Sequence, residues 1–197
     1  MIDFGEKVYL DTFGEFDSKI VREWRNDFSI WKWCRQNDLI PWENHKSWIE
    51  SIGQNPSIKM YAVRAKGPLD SGDPVVPWAS DDIDHMVGVV GLTSIDMLSR
   101  RAEFSCYTAP RAQKQGYAKA ALKTLFSHGF SNLGLNNIWG ETFDGNPAAK
   151  LFESIGMKLE GTRRAFYFKK GQFIDAHLYS LLRSEWDGLE IYKKEQA

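Results

Sequence analysis

The stretch that most constrains the fold is "EFSCYTAPRAQKQGYAKAALKTLF", residues 103–126. A short run rich in apolar and aromatic residues ends at Pro110. A polar loop containing Gly116 follows and runs into a segment with apolar residues at 117, 118, 121, 122, 125 and 126. The first piece has strand composition, and the last has the spacing of one helical face. Strand, loop and helix in that order belong to a layered fold of sheet and helix.

The rest of the chain extends that pattern. Lys7 to Leu10 reads as a strand. Asp17 is placed to cap a helix in which Ile20, Val21 and Trp24 share a face. "DFSIWKWC" and "ENHKSWIESI" read as two short helices separated by Pro41, and Gly53, Asn55 and Pro56 end that region. "IKMYAVRAK" and "HMVGVVGLTSID" read as a pair of strands flanking a long loop at 66–84, rich in Pro, Gly and Asp. "NNIWGETF" is a further strand. Asn146-Pro147 starts a helix that Gly156 ends. The segment from Met157 onward reads as a hairpin turning at Lys170-Gly171. No repeat and no domain boundary appears, so residues 1–197 are expected to form one α/β domain with helices on both faces of its sheet.

Composition narrows the function. With 43% hydrophobic and 26% charged residues the chain has enough apolar side chains for a core and is not of disordered type. Lys and Arg number 25 against 26 Asp and Glu, which leaves no electrostatic footprint for nucleic acid. Two cysteines and four scattered histidines give no metal-ligand spacing. The N-terminal residues lack the pattern of a signal peptide, and no apolar run approaches the roughly 20 residues of a membrane helix. The expectation is a cytoplasmic enzyme or binding domain with no metal and no membrane partner.

The loop before the 117–126 helix has the makings of an anion site. The first N–H groups of a helix have no acceptor inside it, and the helix dipole adds positive potential there. Gly116 allows close approach to the backbone, and Ala118 is small. Phosphate is the expected guest. The loop lacks the Gly-Lys-Ser/Thr of a P-loop and the three spaced glycines of a dinucleotide fingerprint.

These residues also carry a resemblance. "QKQGYA" is similar to the Gln/Arg-x-x-Gly-x-Gly/Ala loop of the GNAT superfamily of acetyl-CoA-dependent N-acetyltransferases. "AEFSCYTAP" resembles that family's fourth strand, and "GNPAAKLFESIGMKLEGTRR" its Asn-containing helix and following strand. "VREWRND" resembles the branch of ribosomal-protein alanine and flagellin amino-sugar acetyltransferases. The resemblance implies an α+β domain with a mixed, mostly antiparallel sheet of about seven strands. It implies that acetyl-CoA lays its pyrophosphate on the amides of Lys114 to Ala118, that is, Lys114, Gln115, Gly116, Tyr117 and Ala118. Gln113 would lie beside them, and Asn146 would contact the coenzyme from the next helix. The strand at 105–108 would splay from the strand at 137–142, and Tyr107 and Thr108 would offer backbone groups to the pantetheine. It also implies a last strand that contributes to a homodimer.

Acetyl transfer sets chemical demands. The amine must lose a proton before it attacks the thioester, so a base is needed, directly or through water. Glu103, early in the splayed strand, is the first candidate, and Glu141 on the neighbouring strand is the second. Arg100 or Arg101 is the alternative, purely structural partner for Glu103. An N–H of the splayed strand would meet the oxyanion. The general acid stays unassigned, because Phe152 stands where the family commonly has a tyrosine; Tyr107, Tyr167 or water remain open. The Trp-rich segment 24–48 would form the acceptor side, with Arg25, Asn26, Glu43 and His45 as candidate polar contacts. The acceptor is expected to be an amino sugar, free or nucleotide-linked. A protein N-terminal amine is the alternative, and a non-catalytic acyl-CoA-binding module the competing class.

Overall fold

The computed structural model describes residues 1–5, 7–67 and 86–186. The expected long loop therefore lies, from residue 68 on, outside the described residues. Seven strands form one sheet in the order β1-β2-β3-β4-β5-β7-β6. They are β1 (Val8–Asp11), β2 (Lys59–Ala65), β3 (Met86–Asp96), β4 (Arg101–Thr108), β5 (Asn137–Phe143), β6 (Lys158–Lys169) and β7 (Gln172–Leu182). Every neighbouring pair is antiparallel except β4 and β5, which run parallel.

Among the described residues five α-helices cover the two faces: α1 (Glu15–Asn26), α2 (Phe28–Trp31), α3 (Trp42–Ile52), α4 (Tyr117–Ser127) and α5 (Ala148–Ser154). The face that carries Leu92, Phe104, Ile138 and Leu181 is closed by Leu122, Leu125 and Phe126 of α4 and Phe152 of α5. The opposite face buries Val21 of α1 against Met60, Ala62 and Val89, with Trp48 and Ile52 of α3 packed alongside. The apolar stripe expected on α4 is thus its buried face, with Ala121, Leu122, Leu125 and Phe126 each at most 1% exposed.

Local details follow backbone chemistry. Asp17 is not the cap of α1. Gly14 holds that position, and Asp17, three residues on, accepts the Gly14 N–H at 2.7 Å. The carboxylate also pairs with Arg64 of β2 at 2.7 Å, and the helix starts about one turn earlier than expected. Beyond Ser127 the α4 path continues as a π-turn, His128–Asn132. The β6–β7 hairpin closes at Lys170-Gly171, both left-handed (φ 49° and 79°), with Lys169 opposite Gln172. A two-residue turn with positive φ at both positions matches the twist of the flanking strands.

Lys169 ties this hairpin to the segment after α2. Its ammonium is buried and donates to the carbonyls of Trp31 (3.2 Å), Cys34 (2.5 Å) and Gln36 (2.7 Å), above the Trp31 ring at 4.8 Å. Burial lowers the Lys169 pKa, the expected response of a cation whose partners are neutral carbonyls. Lys169→Met leaves those carbonyls facing an apolar chain. The expected loss is about 3 kcal/mol, or a Tm lower by about 6–12 °C in a thermal denaturation. An unchanged Tm would show that the ammonium contributes nothing net.

Candidate active site

The central feature is a parting of two strands. β4 and β5 pair only at Arg101–Asn137, Ala102–Ile138 and Glu103–Trp139. β4 nevertheless stays paired with β3 as far as Thr108. One edge of residues 104–108 therefore carries backbone donors and acceptors with no strand beside them. Phe104 sits in the wedge. Its ring meets Phe126 and Phe152 edge-on at 5.4 and 5.0 Å, and it lies over Gly140 of β5 so closely that a Cβ there would be 2.3 Å from the ring. A Gly140→Ala chain must push this buried ring aside. The expected cost is about 1–3 kcal/mol, read as a lower denaturation midpoint at unchanged m-value.

The parting opens a cleft of about 1010 Å³. At one end lies the loop between β4 and α4. It begins with a 3₁₀ turn, Pro110–Ala112, then passes through left-handed Lys114 (φ 63°) and Gly116 (φ 82°) into the helix. The turn is needed because the chain must reverse from strand to helix within a few residues, and Gly116 takes the conformation that other residues resist. The first carbonyl to receive a helical bond is that of Gly116, from Ala120 N–H at 3.1 Å. The N–H groups of the first turn therefore have no acceptor in α4 itself. A Cβ on Gly116 would meet only Lys7 Nζ, at 3.9 Å, so the approach to the backbone is open. Gln113, Lys114, Gly116, Tyr117 and Ala118 all line the cleft, as do Tyr107 and Thr108 of β4. Gln115 does not. Its side chain turns back and donates to the Arg111 carbonyl at 2.8 Å. Asn146 lines the cleft just ahead of α5, and its side-chain oxygen accepts the Ala148 N–H at 3.0 Å.

Glu103 and Glu141 come together on the α1–α3 face of the parted strands. Arg35 bridges them: its guanidinium pairs with Glu103 and, at 2.7 Å, with Glu141 Oε1. Glu141 is fully engaged, since Tyr167 O–H also donates to Oε1 and Arg163 reaches Oε2 at 3.1 Å; its side chain is 2% exposed. Glu103 uses one oxygen, Oε1, toward Arg35, and its side chain is 12% exposed. Arg101, a partner considered from sequence, pairs instead with Asp96 at 3.4 Å. Burial opposes the charge on Arg35, but the Glu103 hydrogen bond and both carboxylates outweigh it and raise its pKa. Burial and the hydrogen bond to Glu141 push Tyr167 up to about 12, so its proton stays with the phenol. Burial raises Tyr107 as well.

The residues expected on the acceptor side divide. Arg25 lines the cleft, with Gln36 Oε1 at 2.9 Å and the Trp48 ring at 5.6 Å. Asn26, Glu43 and His45 lie away from it. Asn26 spends its amide on both backbone groups of Ile40 (2.8 and 3.2 Å), which fixes the loop ahead of α3. His45 is 1% exposed and holds the Ser18 carbonyl at 2.7 Å, between Trp42 and Trp48. Burial lowers its pKa, the response of a structural histidine kept neutral. Glu43 is exposed in the first turn of α3, where its charge complements the helix dipole. Phe152 lines the cleft but packs among Phe104 and Tyr179, with no proton to give. Cys106 has its thiol pushed up to about 12 by burial, which leaves it a small apolar filler rather than a nucleophile.

Arg35, Arg163 and Lys169 carry no sequence signal for this site. Arg35 lies 68 positions from Glu103, in a segment with no periodicity. Among the described residues no group of three or more His, Cys, Asp or Glu is placed to hold a metal ion, and no helix is long and apolar enough to cross a membrane.

Comparison with known proteins places this geometry. Residues 7–158 match the sequence profile of the acetyltransferase (GNAT) domain family. An uncharacterized N-acetyltransferase of Bacillus licheniformis is 32% identical over 108 residues, 54% of this chain and 61% of that protein. A spermidine N(1)-acetyltransferase of Vibrio cholerae is 29% identical over 52% of this chain and 60% of its own length. The chain thus spans about three-fifths of the length of these relatives. The crystal structure of spermidine N-acetyltransferase from Vibrio cholerae, in complex with CoA and spermine, superposes with a TM-score of 0.78 at 20% identity, over 90% of this chain and 96% of that one. The profile covers most of the chain, and the parted strands and glycine loop lie inside it: the protein belongs to the GNAT acetyltransferase family.

Proposed function

We propose that the protein, acting as one domain, is an acetyl-CoA-dependent N-acetyltransferase that acetylates a primary amine by direct attack in a ternary complex. The observation that carries this reading is the alignment of three features along one cleft. The open loop at Gly116 suits a diphosphate, the free edge of 104–108 suits the pantetheine amides, and the cleft leads on to two carboxylates.

In this reading Glu103 takes the proton of the incoming ammonium group, directly or through one water, because its second oxygen is not spent on Arg35. Glu141, held by three partners, positions Arg35. The amine attacks the thioester carbonyl, and an N–H on the free edge of β4 receives the oxyanion. The tetrahedral intermediate then expels coenzyme A as a thiolate, which needs no strong acid. Tyr167 and Phe152 are both poor donors here, the first because its proton is committed to Glu141.

A small-molecule amine is favoured as acceptor by relatives named for spermidine acetylation. An amino sugar and a protein N-terminus stand as further acceptors within the same chemistry. Edge strand β6, with Phe166 and Phe168 exposed, supports a homodimer. The deciding assay follows free thiol from acetyl-CoA across a panel of amines that includes spermidine, amino sugars and N-terminal peptides. Amine-dependent thiol release is expected for at least one. Tight acetyl-CoA binding with no release for any of them would support the non-catalytic binding module instead.

A further inference from the structure

We propose that the acceptor amine is carried on a molecule that also bears an anionic group, phosphate or carboxylate, and that Arg25 and Lys32 receive that group. This rests on the transferase reading of the cleft and narrows its substrate.

The argument begins with charge. The acceptor wall of the cleft carries Arg25, Lys32 and Arg35 against Glu103 and Glu141. Arg35 is neutralised by those two carboxylates, and Arg163 adds another cation to Glu141 from outside. Arg25 and Lys32 have no ion-pair partner among the described residues. Both are only partly exposed and are held by neutral groups. Arg25 donates to Gln36, which in turn donates to the Arg25 carbonyl at 3.0 Å, and its guanidinium lies over the Trp48 ring at 5.6 Å. The Lys32 ammonium lies 5.3 Å from the centre of the Trp33 ring and 5.8 Å from that of Phe28.

A cation fixed in a partly desolvated wall without a counter-ion favours an anion from solution. A second, independent feature points the same way. The Tyr107 hydroxyl, on the cleft-lining stretch of β4, is buried with no hydrogen-bond partner among the described residues, and it feels the Arg25 charge. It supplies a polar group within reach of the Arg25 charge. A polyamine, with positive charge at both ends, can place one ammonium toward Glu103, but its other end gains nothing from Arg25 and Lys32, and Glu141 is already matched by Arg35 and Arg163. An amine with an anionic group places its ammonium toward Glu103 and its anion toward Arg25 and Lys32.

The test measures equilibrium binding by calorimetry in the presence of coenzyme A, alongside thiol release. The probes are glucosamine 6-phosphate against glucosamine, alanyl-glutamate against its amidated counterpart, and spermidine. At least one anionic probe is expected to bind tenfold or more tightly than its neutral counterpart, and more tightly than spermidine. Which pair shows the larger ratio separates phosphate from carboxylate. In an Arg25→Gln, Lys32→Met double variant that ratio is expected to fall toward one. Equal binding of anionic and neutral probes, or tightest binding of spermidine, overturns the proposal. So does a tenfold loss of coenzyme A affinity in the double variant, which assigns the cations to the coenzyme. Thiol release absent for every amine overturns the transferase reading alone, because the binding order still decides this one.

Discussion

Glu103→Gln lowers kcat at neutral pH by a factor of about 10²–10⁴ while acetyl-CoA affinity is retained. The amide preserves the size of the side chain and still accepts a bond from Arg35, but it takes no proton. An alkylammonium with a pKa near that of lysine, about 10.4, then loses its proton only to solvent. Activity of the variant should therefore climb with pH, about tenfold per unit, well above neutrality, where the parent protein is already active. This slope is what a merely structural role would not produce. Full turnover at every pH would remove Glu103 from the chemistry. Glu141→Gln gives a different signature, because the buried Glu141 carboxylate holds Arg35, Arg163 and Tyr167 together. It is expected to lower thermal stability as well as rate, whereas Glu103→Gln leaves stability nearly unchanged.

The second large effect is at the glycine of the loop. Gly116→Asp is expected to weaken acetyl-CoA binding about a hundredfold, or about 3 kcal/mol. Two causes combine. A side chain at φ 82° resists the left-handed conformation by roughly 1–2 kcal/mol, so the unliganded loop relaxes away from the bound shape. The carboxylate also occupies the helix end where the diphosphate is proposed to sit, replacing a favourable dipole interaction with like-charge repulsion. Gly116→Ala carries only the first cause and should lose about tenfold. Calorimetric titration with acetyl-CoA separates the two variants. Unchanged affinity in Gly116→Asp would mean that the diphosphate binds elsewhere, and the assignment of the cleft would fall with it.

The two predictions differ in how far their residues were visible before the fold. The Gly116 loop stands out because it combines strand composition, a glycine and a 3.6-residue apolar period within 24 residues, and each of those signals is local. The structure places Gln113, Lys114, Gly116, Tyr117 and Ala118 along the cleft together, while the Gln115 side chain turns away to a backbone carbonyl four residues back. Glu103 and Glu141 were candidates as carboxylates on adjacent strands. Their different surroundings come from Arg35, Arg163 and Tyr167, none of which is near either in sequence. Asn26 and His45 looked like acceptor contacts because polar residues among tryptophans suit a binding wall. Each is spent inside the fold on a backbone group, Ile40 for one and Ser18 for the other. Pattern alone does not distinguish a polar residue facing a ligand from one satisfying a buried carbonyl.

By itself, the chain's order of residues determined the strands, the α4 stripe, the Lys170-Gly171 turn and the glycine loop, because these depend on dihedral preferences and side-chain periods within a few neighbours. Tertiary structure decided which charges meet. Arg35 with Glu103, and Lys169 with carbonyls as many as 138 positions away, are set by how layers stack and strands part. Electrostatic partners are chosen by distance in space, which no local period encodes.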